Sequence, residues 1–111
     1  MLEYLFGTTL IEKILFYLLA NQKCYPSQLK NVFNVPLYSF QRALGRLEKG
    51  GVIISYTEGK TRVYTFNPRY VFLSELKAFL QKAYNFLPDD IRNKYYEPTA
   101  RKRPRRQGKP L

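Results

Sequence analysis

The sequence predicts a mainly α-helical domain with a small β-hairpin, arranged as a winged helix-turn-helix with a three-helix core, a two-stranded wing and a C-terminal helix. Two short helical patterns between residues 25 and 49 are the first observation that predicts this fold class. The second is the stretch directly after them, in which Gly50-Gly51 precedes two strand-like runs around the turn Glu58-Gly59-Lys60. A helix pair followed directly by a β-hairpin is typical of proteins that bind in a groove of a nucleic acid.

The first two core helices are predicted from their start signals. Thr9 and Glu12 have the spacing of a capping box, so the first helix is expected to begin at Thr9 and to end near Ala20 or Asn21. Ser27 is the expected cap of the second helix, Gln28 to Phe33. The turn after this helix contains an asparagine, a residue type that tolerates a left-handed backbone.

The third helix, Leu37 to Lys49, carries the functional prediction. At about 100° per residue, one side is apolar and the opposite side is polar and basic. Arginine can pair with guanine and glutamine with adenine, and Gly45 leaves room for close approach of a backbone. Such a face is also typical of a helix that merely faces solvent, and the neighbouring hairpin is what favours DNA binding. The predicted DNA-binding residues of this helix are Tyr38, Ser39, Gln41, Arg42, Arg46 and Lys49.

The wing is predicted from two runs of strand-forming residues, Val52 to Thr57 and Thr61 to Phe66. The glycine pair before them supplies the backbone freedom that a helix end needs. Near the tip, Lys60 and Arg62 are expected to contact phosphates or a minor groove. In the alternative interpretation, they only keep an exposed hairpin soluble.

A C-terminal helix, Ser74 to Phe86, is predicted from apolar residues at helical spacing, with Ser74 as its cap. Part of this stripe can face the core and part a symmetric partner, and the sequence favours the two interpretations equally. The residues that we expect to be left for a partner are aromatic, namely Phe72, Phe79, Tyr84 and Phe86.

The domain is expected to span residues 1–90, and residues 91–111 are expected to form a basic, flexible tail. From Glu97 onward, prolines and basic residues replace any apolar face. A solubilising tail, a nuclear import signal or an RNA-binding arm has the same composition, but added DNA affinity is the leading interpretation. The tail residues predicted to bind DNA are Arg101, Lys102, Arg103, Arg105, Arg106 and Lys109.

Composition narrows the partners and the chemistry. A net charge of +11 favours a polyanionic partner. The single cysteine, Cys24, indicates a reducing compartment, so a cytoplasmic, nucleoid-associated protein is expected, and a packing role for this thiol is favoured over a redox role. The absence of histidine excludes imidazole catalysis and histidine-containing metal sites. We expect no enzyme activity, no cofactor and no membrane association.

Four passages carry a family resemblance, and they are Thr9–Leu19, Tyr25–Leu29, Phe40–Val52 and Val63–Pro68. With them the chain resembles small prokaryotic winged-helix transcription regulators of the ArsR-like type. The resemblance implies a recognition helix at residues 37–49, a wing at residues 52–66 and a homodimer formed through the helices Thr9 to Ala20 and Ser74 to Phe86. Many such regulators sense metals through cysteine and histidine clusters, and this chain offers no such cluster to carry over.

The sequence therefore predicts a transcription regulator that binds specific sites in double-stranded DNA as a homodimer. The third helix reads the major groove, and the wing and the tail contact phosphates or a minor groove. The alternative is a winged-helix adaptor that binds an unidentified protein partner through its aromatic surface, or an architectural protein whose tail binds nucleic acid without sequence preference.

Overall fold

The winged helix-turn-helix predicted from the sequence is present in the computed structural model, which describes residues 1–97. The core consists of three helices, and the hairpin and the C-terminal helix come after them. The elements are α1 (Glu3–Phe6), α2 (Thr9–Asn21), β1 (Lys23–Cys24), α3 (Pro26–Phe33), α4 (Leu37–Lys49), β2 (Ile53–Glu58), β3 (Thr61–Phe66), α5 (Leu73–Asn85), α6 (Asp89–Ile91) and a π-helical segment (Arg92–Tyr96). Within residues 1–97, no helix is long and apolar enough to cross a lipid bilayer.

The start of α2 differs from the predicted capping box. Thr8 Oγ1 accepts a hydrogen bond from the Leu10 amide at 3.1 Å, so Thr8 and not Thr9 caps the helix. The buried Glu12 carboxylate instead accepts hydrogen bonds from the Leu2 amide at 2.7 Å and from the terminal ammonium at 3.3 Å. These donors offset the cost of burying the carboxylate, and they fasten α1 to α2.

The predicted serine caps of α3 and α5 are also wrong. Helix α3 begins at Pro26, whose missing amide costs nothing at a helix start, and the Gln28 side chain accepts a hydrogen bond from the Tyr25 amide at 3.3 Å. Ser27 therefore lies inside the first turn. Ser74 likewise lies inside the first turn of α5, where its hydroxyl donates to a neighbouring carboxylate.

Two left-handed residues bound α4 and explain its sharp ends. Asn34 adopts φ 56° and ψ 46° in the turn before the helix, which confirms the left-handed backbone expected there. After the helix, Gly51 adopts φ +80° and its amide donates to the Glu48 carbonyl at 3.0 Å. The Val52 amide donates to the Leu47 carbonyl, also at 3.0 Å, and together the two bonds form a Schellman motif.

The wing is a regular antiparallel hairpin. Strands β2 and β3 pair without a bulge until Glu58 lies opposite Thr61, so the loop contains only Gly59 and Lys60. The short β1 pairs with the other edge of β3, which gives the strand order β1-β3-β2. The predicted two-stranded wing is thus supported by a third strand from the chain between α2 and α3.

The C-terminal segment closes the hydrophobic core. Tyr96 is only 4% exposed, and its ring lies 5.6 Å from those of Phe16 and Phe33 and 5.8 Å from that of Tyr84. Asn21 Nδ2 donates to the Tyr96 carbonyl at 2.8 Å. The packed domain therefore continues past residue 90, the boundary predicted from the sequence.

Candidate nucleic-acid interface

Helix α4 turns its polar and basic side outward because its other side is anchored in the core. Phe40 and Leu44 are fully buried, and Ala43 and Leu47 accompany them on the inner side. The six predicted DNA-binding residues lie away from this side, with Ser39 half-buried and Tyr38, Gln41, Arg42, Arg46 and Lys49 exposed. The structure therefore brings five of the six to the outward surface of one helix and leaves Ser39 at the edge of that surface.

One arginine on this surface is held by an aromatic neighbour. The Arg42 guanidinium lies 5.6 Å from the centre of the Tyr38 ring, one helical turn away, and Nη1 donates to the Tyr38 hydroxyl at 3.5 Å. At an exposed site such a cation–π contact contributes about 0.5–1 kcal/mol. It restrains the guanidinium while leaving most of its five N–H groups free to meet an acceptor.

A shallow groove separates α4 from the start of α2. Its volume is about 220 Å³, and Thr8 and Leu10 form one wall. Arg42, Ala43 and Arg46 contribute to the opposite wall. Two guanidinium groups beside an open groove can receive an anionic group such as a phosphate.

The two basic wing residues differ in their surroundings. Lys60 is exposed at the tip of the hairpin. Arg62 is also largely exposed, but its Nε donates to Ser55 Oγ at 3.2 Å and its Nη2 lies 4.0 Å from Glu48 Oε2. Ser55 Oγ in turn donates to Glu48 Oε2 at 2.6 Å. Glu48 and Ser55 are residues of this surface that the sequence does not predict. For Glu48, the available signal in the sequence is an acidic residue near the end of an otherwise basic helix.

A second ion pair holds the wing on its other side. Lys23 Nζ lies 3.1 Å from Glu58 Oε2 and donates a hydrogen bond to it, which raises the pKa of Lys23. Glu58 is the last residue of β2 before the loop, whereas Lys23 belongs to β1. The pair therefore connects the tip of the hairpin to the supporting strand.

Helix α5 presents a surface of the opposite character. Phe72, Phe79 and Phe86 are 60%, 42% and 71% exposed, whereas Leu80 and Tyr84 are buried. Three of the four aromatic residues expected to face a partner are thus available. Tyr84 is not, because its ring packs against Phe16 and Tyr96 in the core.

The chain's one thiol is part of the core. Cys24 is fully buried in β1, and burial raises its pKa to about 12, so the thiol is neutral near pH 7. This environment supports packing over redox chemistry, since the thiolate is the reactive form. Among residues 1–97, no group of three or more potential metal-ligating side chains occurs. The six tail residues predicted to bind DNA, from Arg101 to Lys109, lie outside the described residues.

No model of a known protein family matches the sequence, and no curated protein sequence matches it either. Among solved structures, a mutant of Lactococcus lactis ZitR in apo form is similar to this chain, with 16% sequence identity and a TM-score of 0.48. The match covers 81% of this chain and 78% of that chain.

Proposed function

We propose that this protein is a transcription regulator that binds specific double-stranded DNA sites as a homodimer in the cytoplasm, in association with the nucleoid. The outward surface of α4 carries the proposal, because it presents Gln41, Arg42 and Arg46 on a helix flanked by a basic wing. The major groove of B-DNA admits an α-helix, and glutamine and arginine are side chains that distinguish bases there. The protein's net charge of +11 adds attraction to phosphates.

Each part of this surface has an expected role. Gln41 and Arg42 face outward near the middle of α4 and read base edges, while Tyr38 restrains Arg42. Arg46 and Lys49 lie nearer the end of the helix and contact phosphates. Three further contributions complete the proposed DNA-binding set. Ser39 contacts the backbone beside the groove, the wing adds Lys60, and the tail adds its six basic residues.

The homodimer is proposed to form mainly through α5. The sequence resemblance implied Thr9 to Ala20 as a second dimer element, but seven residues of α2 are buried in the chain's own core. Phe79 of α5 is exposed, as are Phe72 and Phe86 at the two ends of the helix, and aromatic residues are enriched in protein interfaces. A two-fold pairing of this surface would present two copies of α4 to one duplex.

The first experiment is selection of bound duplexes from a random-sequence DNA pool near physiological salt, with sequencing of the retained DNA. We expect a consensus of two inverted half-sites about one helical turn apart, because operator symmetry mirrors dimer symmetry. A single half-site would contradict the dimer. Retention without any consensus would contradict base reading by α4.

Arg42→Ala tests the reading role directly. We expect weaker binding to the selected site by about 1–3 kcal/mol and relaxed preference at one base position. Lys82→Ala is the matched control, because it removes one exposed positive charge from α5 and should leave the consensus unchanged. An equal loss on every DNA sequence would show that Arg42 contacts only the backbone.

Removal of residues 101–111 tests the tail. We expect weaker binding to all duplexes and a shallower dependence of affinity on salt, because each phosphate contact releases counterions without reading bases. The selected consensus should remain. An unchanged salt dependence would show that the tail does not contact DNA.

A second candidate function is supported by the exposed phenylalanines of α5. In this alternative the protein is a winged-helix adaptor that binds a protein partner through that surface, while its basic residues hold nucleic acid without sequence preference. A stable complex with such a partner in pull-down, together with a selection that yields no consensus, would favour it. A consensus would favour the regulator.

A further inference from the structure

We infer that Glu48, Ser55 and Arg62 form a brace that positions the wing relative to α4, and that Arg62 is not itself a phosphate contact. This inference rests on the proposed DNA binding. It replaces the role that the sequence suggested for Arg62 and assigns one to Glu48, the sole acidic residue of α4. We call these three residues the helix–wing brace.

The brace joins three elements through one hydroxyl group. Glu48 lies in the last turn of α4, Ser55 in β2 and Arg62 in β3. Ser55 Oγ accepts from Arg62 Nε at 3.2 Å and donates to Glu48 Oε2 at 2.6 Å, a distance typical of a charge-assisted hydrogen bond. The recognition helix and both strands of the wing are therefore held by a single continuous chain of polar contacts.

The direction of Arg62 is set by the strand pattern. Side chains alternate between the two faces of a strand, and Ser55 lies opposite Tyr64. Arg62, two residues before Tyr64, therefore shares the face of Ser55, and this face is directed toward Glu48 of α4. The other wing cation, Lys60, lies in the loop and is not part of this network.

The opposite face of the hairpin carries the Lys23–Glu58 ion pair. Glu58 is three residues from Ser55, so the two side chains are on different faces of β2. The brace on one face and this ion pair on the other would together oppose rotation of the hairpin about its long axis. The position of Lys60 relative to the outward surface of α4 depends on that rotation.

Stability alone does not explain the brace. The Arg62 and Glu48 side chains are 62% and 36% exposed, and exposed ion pairs contribute little to folding. A negative charge in the last turn of a helix is also unfavourable to the helix dipole, and it repels the phosphates of bound DNA. The role of Glu48 in positioning the wing accounts for a negative charge at this end of α4.

The test depends on whether DNA affinity rises or falls when the negative charge of Glu48 is removed. Removing a negative charge beside bound DNA normally strengthens binding, whereas loss of the brace weakens it. We expect Glu48→Gln and Arg62→Gln each to weaken binding to the selected site by about fivefold, and the double variant to lose about as much as either single variant, because coupled residues are not additive. Glu75→Gln on α5 is the charge control and should not weaken binding.

Salt dependence separates positioning from contact. Lys60→Gln should reduce the slope of log affinity against log salt by about one, as the loss of a phosphate contact does. Arg62→Gln should leave that slope unchanged. Tighter binding by Glu48→Gln, or a loss of slope in Arg62→Gln equal to that in Lys60→Gln, would overturn the brace.

A measurement without DNA keeps the brace separate from the proposed function. The NMR order parameters of the Gly59 and Lys60 amides should fall in Glu48→Gln while those of α4 stay unchanged. Unchanged order in the wing would overturn the brace even if the wild-type protein selects a DNA consensus. Absence of any consensus with the wild-type protein would instead refute the proposed function, and the NMR result would still decide the brace.

Discussion

Helices α4 and α5 have the same length, 13 residues, and both pack on α2, but they present opposite surfaces to solvent. The outward side of α4 carries polar and basic residues such as Arg42 and Arg46. The outward side of α5 carries Phe79, and the exposed Phe86 directly follows the helix. The same domain therefore has one surface suited to a polyanion and another suited to an apolar partner. Both helices bury residues on one side, and it is the chemistry of their outward residues that differs.

The two helices also complete their inner sides differently. Helix α4 buries four residues against the preceding helices and the wing. Helix α5 buries only Leu80 and Tyr84, and the π-helical segment near the end of the described chain adds Tyr96 to the same core. The inner side of α5 is thus completed by a segment that lies beyond the helix in sequence.

Tyr96→Ala is expected to have the largest effect. Truncation of this buried ring should lower the free energy of unfolding by about 3–5 kcal/mol, as loss of a buried aromatic side chain does. Urea unfolding measures the change. The control is Tyr38→Ala, which removes the same group from a 65% exposed position and should change stability little while weakening the proposed DNA binding. Similar losses of stability in both variants would contradict the packing described for the C-terminal segment.

Phe79→Asp tests the apolar surface of α5. A carboxylate in place of an exposed interface phenylalanine should weaken the proposed dimer at least tenfold, about 1.4 kcal/mol, because the charge is desolvated on association. Analytical ultracentrifugation over a range of protein concentrations measures this change. Gln81→Asp adds the same charge at another exposed position of α5 and should leave the dimer intact. A dimer unaffected by Phe79→Asp would place the interface elsewhere.

The comparison of α4 with α5 also shows how far the sequence could predict the fold. The bounds of α4 agree with the prediction because local signals set both ends, a left-handed asparagine before it and the Schellman motif after it. The three wrong caps have a different cause. Adjacent residues such as Thr8 and Thr9 compete for one cap, and packing of the neighbouring chain selects between them.

The surface of α5 and the helix–wing brace depend on tertiary structure. Four aromatic residues around α5 look alike in sequence, and Tyr84 is the buried one because its ring packs against Phe16 and Tyr96. Asn21 and Tyr96 are 75 residues apart in sequence when they bond. The brace likewise requires the angle between α4 and the wing, which no local pattern specifies.

Helices α4 and α5 cover the same hydrophobic core. The buried thiol of Cys24 reports whether water is excluded from that core. Burial raises the pKa of this thiol from 9.0 to about 12, so the folded protein keeps a proton that the unfolded chain loses above about pH 9. Stability is therefore lost as pH rises, by about 1 kcal/mol between pH 8 and 9.5. Burial also raises the pKa of Tyr17 to about 12, but from 10.0, so Tyr17 contributes to the loss of stability mainly at higher pH.

Urea unfolding at each pH measures this loss. The free energy of unfolding should decline less with pH for Cys24→Ala than for the wild type. Equal declines would show that water reaches the thiol.

The smallest expected effect separates the contribution of α4 to folding from its proposed contribution to DNA binding. A Cβ added at the exposed Gly45 meets no atom within 4 Å, so Gly45→Ala should stabilise the helix by about 0.5–1 kcal/mol. The same methyl group is added on the exposed side of α4 and should weaken the proposed DNA binding, because it obstructs close approach of the duplex. The variant should therefore be more resistant to urea and yet have a lower affinity for the selected site.

Gly51→Ala is the control for the backbone effect, since φ +80° makes alanine unfavourable there and the fold should lose stability. Greater stability with unchanged affinity in Gly45→Ala would move the middle of α4 away from the DNA, and base reading would then have to come from the wing or the tail.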